Sequence, residues 1–170
     1  RLMSIGVVTL GHGGGVNLGA GAGNTNFALV PGLTRRDVDL AMDAERRPVF
    51  REDERDAVAA RCIMDRPYWL IDLGPETFDW LCRKGLIANL QGVFVTHCHT
   101  DHSGGLAGLA WHAMFVGQRK IGLYYAAESR RLLESQLAEL KFGSPALLER
   151  MGRGAIHREL SLSDFFIMAY

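Results

Sequence analysis

Four side chains that can bind a metal ion lie within six consecutive residues. They are His97, His99, Asp101 and His102, and an apolar run at residues 92–96 precedes them. A Ser-Gly-Gly sequence follows, so the order is strand, loop and small-residue helix start, which is the context that a metal motif needs. Imidazole and carboxylate ligands suit Zn²⁺ best, with Mn²⁺ or Fe as other candidates.

The spacing divides these four side chains into two pairs. In an extended chain, alternate side chains point the same way, so His97 and His99 can hold one ion while Cys98 points away from it. We interpret Cys98 as a small buried residue packed behind the site. Asp101 and His102 come after the turn and can reach a second position. Two ions held in this way would lie about 3.5–4 Å apart, as in two-metal hydrolases.

The sequence His-x-His-x-Asp-His followed by Gly-Gly resembles the signature of the metallo-β-lactamase fold superfamily. The resemblance implies that His97 and His99 bind the first of two divalent metal ions, and that Asp101 and His102 bind the second. It implies a metal-dependent hydrolase in which a hydroxide lies between the two metals. Asp101 would be the catalytic residue, because it would ligate one metal and align the hydroxide for attack.

The resemblance also implies the order of the elements. Two opening strands, a strand ending in Asp-x-Gly, a helix and the motif strand are assigned in turn to residues 4–10, 26–30, 68–72, 75–84 and 92–96. The fold expected is therefore of the α/β (α+β) class, a metallo-β-lactamase-type αββα sandwich. Asp72 would lie behind the metal ligands and orient a ligand imidazole; the alternative is an ordinary acidic residue at a turn.

Two stretches are similar to the ribonuclease Z-like phosphodiesterase branch of the superfamily: the glycine-rich tract at residues 11–24 and residues 92–125. They imply a phosphodiester substrate, either an RNA 3′ end or a cyclic nucleotide. Residues 141–154 form no long basic arm, and the net charge is zero, which favours a small nucleotide. The alternatives are a thioester or lactam hydrolase, a non-catalytic fragment, and a redox di-iron protein, which usually carries Glu where this chain has His99.

The superfamily site also needs a third histidine for the first metal, together with a bridging Asp and a last histidine for the second. After His102 the sequence contains only His112, on a predicted helix, and His157, in a polar context. We therefore expect the missing ligands beyond Tyr170. On this interpretation, residues 1–170 are one domain that is incomplete at its C-terminus and comprises the N-terminal half to two-thirds of the fold.

Composition limits which partners and which cellular compartment we expect for the protein. Zero net charge gives no global attraction to nucleic acid, and no stretch is long and apolar enough to span a membrane. Three cysteines, an odd number, with no Cys-x-x-Cys pair, argue against a disulfide framework and favour the cytoplasm. A homodimer stays open as an expectation.

The other elements follow from local patterns. Residues 31–66 are interpreted as a charged insertion followed by a hairpin, in which strands at 57–64 and 68–73 flank a turn. A helix is expected over residues 105–115 with Ser103 as its N-cap. Further elements are expected in the order strand, helix, short helix and strand, at residues 121–125, 127–140, 144–152 and from 163.

Overall fold

The computed structural model of the 170-residue chain describes residues 4–10, 26–44, 52–113, 116, 121–139 and 166–169. The glycine-rich tract at 11–24 with His12, the predicted helix at 144–152, and His157 lie outside the described residues. None of the helices in the described ranges is long and apolar enough to cross a membrane.

A single sheet of six strands organises the described residues, and its spatial order follows the chain. The strands are β1 (Ile5–Thr9), β2 (Phe27–Pro31), β3 (Tyr68–Ile71), β4 (Leu90–Val95), β5 (Gly122–Tyr125) and β6 (Phe166–Ala169). The β1–β2 and β2–β3 pairs are antiparallel, whereas β3 to β6 run parallel. The carboxyl ends of β3, β4 and β5 therefore meet at one edge of the sheet. The mixed α/β architecture is the one that the sequence predicted.

Helices connect the strands and cover one face of the sheet. They are α1 (Arg35–Ala44), α2 (Glu52–Ile63), α3 (Pro75–Arg83), α4 (Thr100–Ser103), α5 (Leu106–His112) and α6 (Arg130–Glu139), with 3₁₀ turns at Ile87–Asn89 and Ala127–Ser129. Leu81, Leu109 and Leu133 come from three of these helices and are fully buried in the same core as Leu70 and Val93 from the strands. The core therefore lies between the helices and this face of the sheet.

The termini of α3 show why this predicted helix forms. Pro75 occupies the first turn, where its missing N–H costs no hydrogen bond. Gly85 follows the last turn with φ +68°, a left-handed conformation that glycine adopts without strain. The Gly85 N–H donates to the Cys82 carbonyl at 3.1 Å and the Leu86 N–H to the Leu81 carbonyl at 2.9 Å, which closes the helix. After this turn the chain continues through the 3₁₀ turn at Ile87–Asn89 into β4.

The predicted hairpin is wrong. Residues 57–64 belong almost entirely to α2, and only the segment from Tyr68 forms a strand. The apolar run that suggested a strand is one face of a helix, because Ala59, Ala60 and Ile63 are at helical spacing and all are buried. Their burial favours the helix over a second strand at this position.

The charged segment before α2 also contains a helix. Thr34 and Asp37 form a capping box at the start of α1: the Thr34 N–H and hydroxyl both donate to Asp37 Oδ2, at 2.8 and 2.6 Å. Arg66, after α2, donates to Asp37 Oδ1 at 2.8 Å and so ties the turn before β3 to the start of α1. Within region 31–66 the described residues therefore form a pair of packed helices, α1 and α2, in place of the predicted hairpin, and the charged insertion stays a prediction.

Candidate metal centre

Two neighbouring parallel strands bring the predicted site residues together. Asp72 directly follows β3 and His97 follows β4 after a single residue, so both lie at the carboxyl edge of the sheet. His99 caps the one-turn helix α4, and its carbonyl accepts the His102 N–H at 2.9 Å. Crevices at this edge of an open α/β sheet are the usual place for a ligand.

The four predicted ligands form two close pairs of donor atoms. His97 Nε2 lies 3.1 Å from His99 Nδ1, and His102 Nε2 lies 3.3 Å from Asp101 Oδ2. Two atoms bound to one tetrahedral Zn²⁺ at its usual bond lengths are about 3.3 Å apart, so each pair matches one edge of a coordination shell. The His97 and His102 ring centroids are 4.0 Å apart, which places the two pairs side by side.

Each pair supplies two donors, whereas a zinc site needs three or four protein ligands. Within the described ranges, no three His, Cys, Asp or Glu side chains are grouped so that they could hold one ion. The donor types and spacings therefore fit two divalent ions, but the number of donors is that of two half-complete sites. The assignment of the four residues as metal ligands stays a prediction.

Asp72 stands behind both pairs. The residue is only 4 % exposed, and its Oδ2 lies 2.7 Å from His102 Nδ1. The same oxygen accepts the Thr96 hydroxyl at 2.8 Å, and Oδ1 accepts the Thr96 N–H at 2.8 Å. Asp72 has φ +63°, a left-handed conformation that Asp tolerates better than most residues. The side chain is thus positioned to orient an imidazole.

The hydrogen bond that His102 makes to Asp72 determines which nitrogen of His102 carries the proton. An ionised carboxylate can only accept hydrogen bonds, so His102 Nδ1 must be the donor. A neutral imidazole then has its lone pair on Nε2, which is the atom that faces Asp101. His102 is thereby held in the tautomer that can bind a cation.

Backbone contacts join the motif to the loop after β3. The Leu73 N–H donates to the His102 carbonyl at 2.6 Å, and the Gly105 N–H donates to the Leu73 carbonyl at 2.9 Å. A Cβ on Gly105 would lie 2.7 Å from the Gly74 carbonyl oxygen, closer than real Cβ contacts allow. The second glycine after the motif is therefore required by this close approach of two backbones.

Helix α6 holds the other side of the motif loop. Gln136 Nε2 donates to the Cys98 carbonyl at 2.7 Å, and Gln136 Oε1 accepts the Ser103 hydroxyl at 2.9 Å. Cys98 Sγ points toward the Ser129 carbonyl at 3.8 Å and packs against the core, turned away from the His97–His99 pair as predicted.

The predicted N-cap role of Ser103 is wrong. Helix α5 begins at Leu106, after Gly105, and Ser103 is the last residue of α4. Its hydroxyl lies 2.9 Å from Gln136 Oε1 and 3.1 Å from the His99 carbonyl oxygen, and α5 has Gly105 at its N-cap with no side-chain capping hydrogen bond. Ser103 thus supports the loop between His99 and α6 instead of starting a helix.

Two residues of the site were missed by sequence reasoning. Thr96 contacts both Asp72 and His97, with its Oγ1 3.0 Å from His97 Nδ1. A hydroxyl residue between a buried strand and the first histidine is the signal that could have found it. Gln136 gave no such signal, because its role depends on how α6 packs in three dimensions.

Comparisons of the sequence and of the structure with known proteins found three relatives to report. A stretch of 84 residues is 32 % identical to ribonuclease Z from Halalkalibacterium halodurans and covers 48 % of this chain and 27 % of that protein. The structure is similar to human tRNase Z, short form (20 % identity, TM-score 0.44, 77 % of this chain and 38 % of that one). It is also similar to the metallo-beta-lactamase fold protein YhfI from Bacillus subtilis (16 % identity, TM-score 0.47, 82 % of this chain and 42 % of that one).

The chain spans less than half the length of each of these relatives. The predicted mixed α/β class and the predicted resemblance to ribonuclease Z are confirmed, and the αββα sandwich stays a prediction. A family model described as anti-Pycsar protein Apyc1 matches residues 62–165, which is more than half of the chain and includes Asp72 and the whole metal-ligand motif. This chain belongs to the anti-Pycsar protein Apyc1 family.

Proposed function

We propose that this protein is a metal-dependent phosphodiesterase that acts on cyclic nucleotides or RNA 3′ ends. The observation that carries the proposal is the pair of donor couples, His97 with His99 and Asp101 with His102, set side by side at the sheet edge. Two divalent ions, with Zn²⁺ favoured, suit these imidazole and carboxylate donors. The match to a ribonuclease Z supports phosphodiester chemistry.

Each residue of the site would have a separate role in the reaction. Bound cations would supply the Lewis acidity that activates water at neutral pH and offsets the charge of a phosphoryl group. His97 and His99 would hold one cation, and Asp101 and His102 the other. A carboxylate has about four acceptor positions, so Asp101 can bind a cation and still accept a hydrogen bond from the attacking water. Asp72 would keep the His102 ring oriented.

A small nucleotide is favoured over a large folded RNA. The net charge of the chain is zero, so no general positive field would concentrate a polyanion at its surface. We also propose a reducing compartment, the cytoplasm. The support is that Cys62, Cys82 and Cys98 are all free thiols, and a disulfide-free chain is typical of that compartment. The homodimer stays a prediction.

Hydrolysis by the full-length protein tests the proposal. We expect turnover of bis-p-nitrophenyl phosphate and of a cyclic mononucleotide, loss of both after chelation, and recovery with Zn²⁺. Asp101→Asn should lower kcat/KM by about 100-fold or more, the usual range for a positioned proton-accepting group. Asp79→Asn is the matched control, because Asp79 is an exposed acid on α3 paired only with Arg83 among the ion pairs described.

Other outcomes would contradict the proposal. Faster hydrolysis of a thioester than of either phosphodiester would favour the thioester hydrolase alternative. Turnover that survives chelation, or an Asp101→Asn variant as active as Asp79→Asn, would remove the metal-dependent mechanism.

A further inference from the structure

The Thr96 hydroxyl lies between a buried carboxylate and a predicted metal ligand. Its Oγ1 is 2.8 Å from Asp72 Oδ2 and 3.0 Å from His97 Nδ1. The Thr96 N–H also donates to Asp72 Oδ1 at 2.8 Å, so the residue is fixed to the carboxylate at two points. The hydroxyl therefore has little freedom to turn away from Asp72.

A count of protons assigns each of these hydrogen bonds. A hydroxyl has one proton and two lone pairs, and an ionised carboxylate has none to give. Thr96 must therefore use its proton toward Asp72 and offer a lone pair to His97. It follows that His97 Nδ1 carries the ring proton and donates it to Thr96. The His97 Nε2 lone pair then faces His99 Nδ1 at 3.1 Å.

We propose that Thr96 is a positioning residue that links Asp72 to His97. Its hydroxyl donates to Asp72 and accepts from His97, and so fixes His97 in its cation-binding tautomer. Asp72 holds His102 directly and His97 through Thr96, so one carboxylate sets the proton positions in both donor pairs. The proposal rests on the proposed function only in taking these pairs as metal-binding. Groups that orient metal-bound histidines typically change metal affinity by about 10–100-fold when they are removed.

This link makes a prediction that separates the two pairs. Thr96→Val keeps the shape of the side chain but removes the hydroxyl and its hydrogen bonds to Asp72 and His97, so His97 should lose its fixed orientation. Thr96→Ser restores the hydroxyl and should restore the wild-type behaviour. His102 keeps its direct bond to Asp72 in both variants and serves as an internal control.

The first measurement is the tautomer of each ring in the metal-free full-length protein, read from long-range ¹H–¹⁵N NMR spectra. His97 is assigned by its loss in His97→Gln. We expect the His97 proton on Nδ1 in the wild type and in Thr96→Ser. In Thr96→Val we expect a mixture of the two neutral tautomers, with the proton on either Nδ1 or Nε2. A wild-type His97 that carries its proton on Nε2 would overturn the proposal even if the Val variant failed to fold.

The second measurement is Zn²⁺ binding by competition with a chromogenic chelator. We expect one of the bound ions to bind about 10–100-fold more weakly in Thr96→Val, and the Ser variant to match the wild type. Equal Zn²⁺ affinities in all three proteins, or a Ser variant as weak as the Val variant, would overturn the proposal. Neither measurement uses a substrate, so a wild-type protein that hydrolyses no phosphodiester would refute the proposed function and leave the link through Thr96 intact.

Discussion

Asp72 accepts three hydrogen bonds through one nearly buried carboxylate, from the Thr96 N–H, the Thr96 hydroxyl and His102 Nδ1. Asp72→Ala would leave these donors without their acceptor and would place an alanine in a left-handed conformation. We expect the metal-free protein to lose about 2–4 kcal/mol of unfolding free energy, from unpaired donors and backbone strain together.

The matched variant is Asp72→Asn, which keeps one side-chain oxygen and tolerates the left-handed backbone. It should lose clearly less stability than Asp72→Ala in urea unfolding with a chelator present. If both variants unfold at the wild-type urea concentration, Asp72 acts on the site without supporting the fold, and our account of its backbone role is wrong.

The sequence predicted the directions of the motif side chains because these depend on local geometry. Alternation in an extended chain places His97 and His99 on one side and Cys98 on the other, and the structure has this arrangement. The contacts of Thr96 and Gln136 could not be predicted in the same way. Thr96 meets Asp72 across 24 residues, and Gln136 meets Cys98 across 38, so both contacts depend on how separate elements pack.

At the scale of elements, the start of α1 should respond to acid. The hydrogen bond from the Thr34 hydroxyl lowers the pKa of Asp37 below its usual 3.8, and the Thr34 N–H and Arg66 add to this. A carboxyl group with a lowered pKa in the folded state stabilises the protein above its unfolded-state pKa, and this contribution is lost as the pH falls through the folded-state pKa. Asp37→Asn should therefore melt at a lower temperature than the wild type at neutral pH, and the difference should shrink as the pH falls below 3.8.

The control removes the hydroxyl that lowers this pKa most. In a Thr34→Val background, Asp37→Asn should change the pH profile of melting less than it does in the wild type. A difference in melting temperature that stays constant from neutral to acid pH would show that the carboxylate charge has no part in capping α1.

Most elements could be predicted because their signals are local. Strands β1 to β5 and helix α3 lie within about two residues of their predicted bounds, and α6 begins three residues later than predicted, after a 3₁₀ turn at Ala127–Ser129. The exception is α2, where a short apolar run fits either a strand or one face of a helix. The capping box at Thr34 and Asp37 was the local sign that this charged region begins with a helix. Packing of α2 against β1 and β2 then stabilises the helix.

At the scale of the molecule, the two faces of the sheet differ. Helices cover the face that carries Leu70 and Val93, whereas the opposite face carries exposed or partly buried apolar side chains. On that face, Phe94 and Tyr124 stack with ring centroids 4.4 Å apart, and Val7 is 63 % exposed among the described residues. In an αββα sandwich two sheets pack face to face. If the αββα prediction holds, the second sheet should pack on this apolar face.

Val7→Lys tests whether a second layer covers this face in the full-length protein. If it does, a lysine there must bury its charge or push the layers apart, and we expect a loss of more than 2 kcal/mol, about twice what the weaker strand propensity of lysine alone would cost. Leu132→Lys is the matched control: Leu132 is 60 % exposed but lies on α6, away from this face, and a change there should stay within about 0.5 kcal/mol. Urea unfolding of both variants gives the comparison. A Val7→Lys variant that loses no more than about 1 kcal/mol would mean that solvent, and not a second sheet, meets the aromatic face.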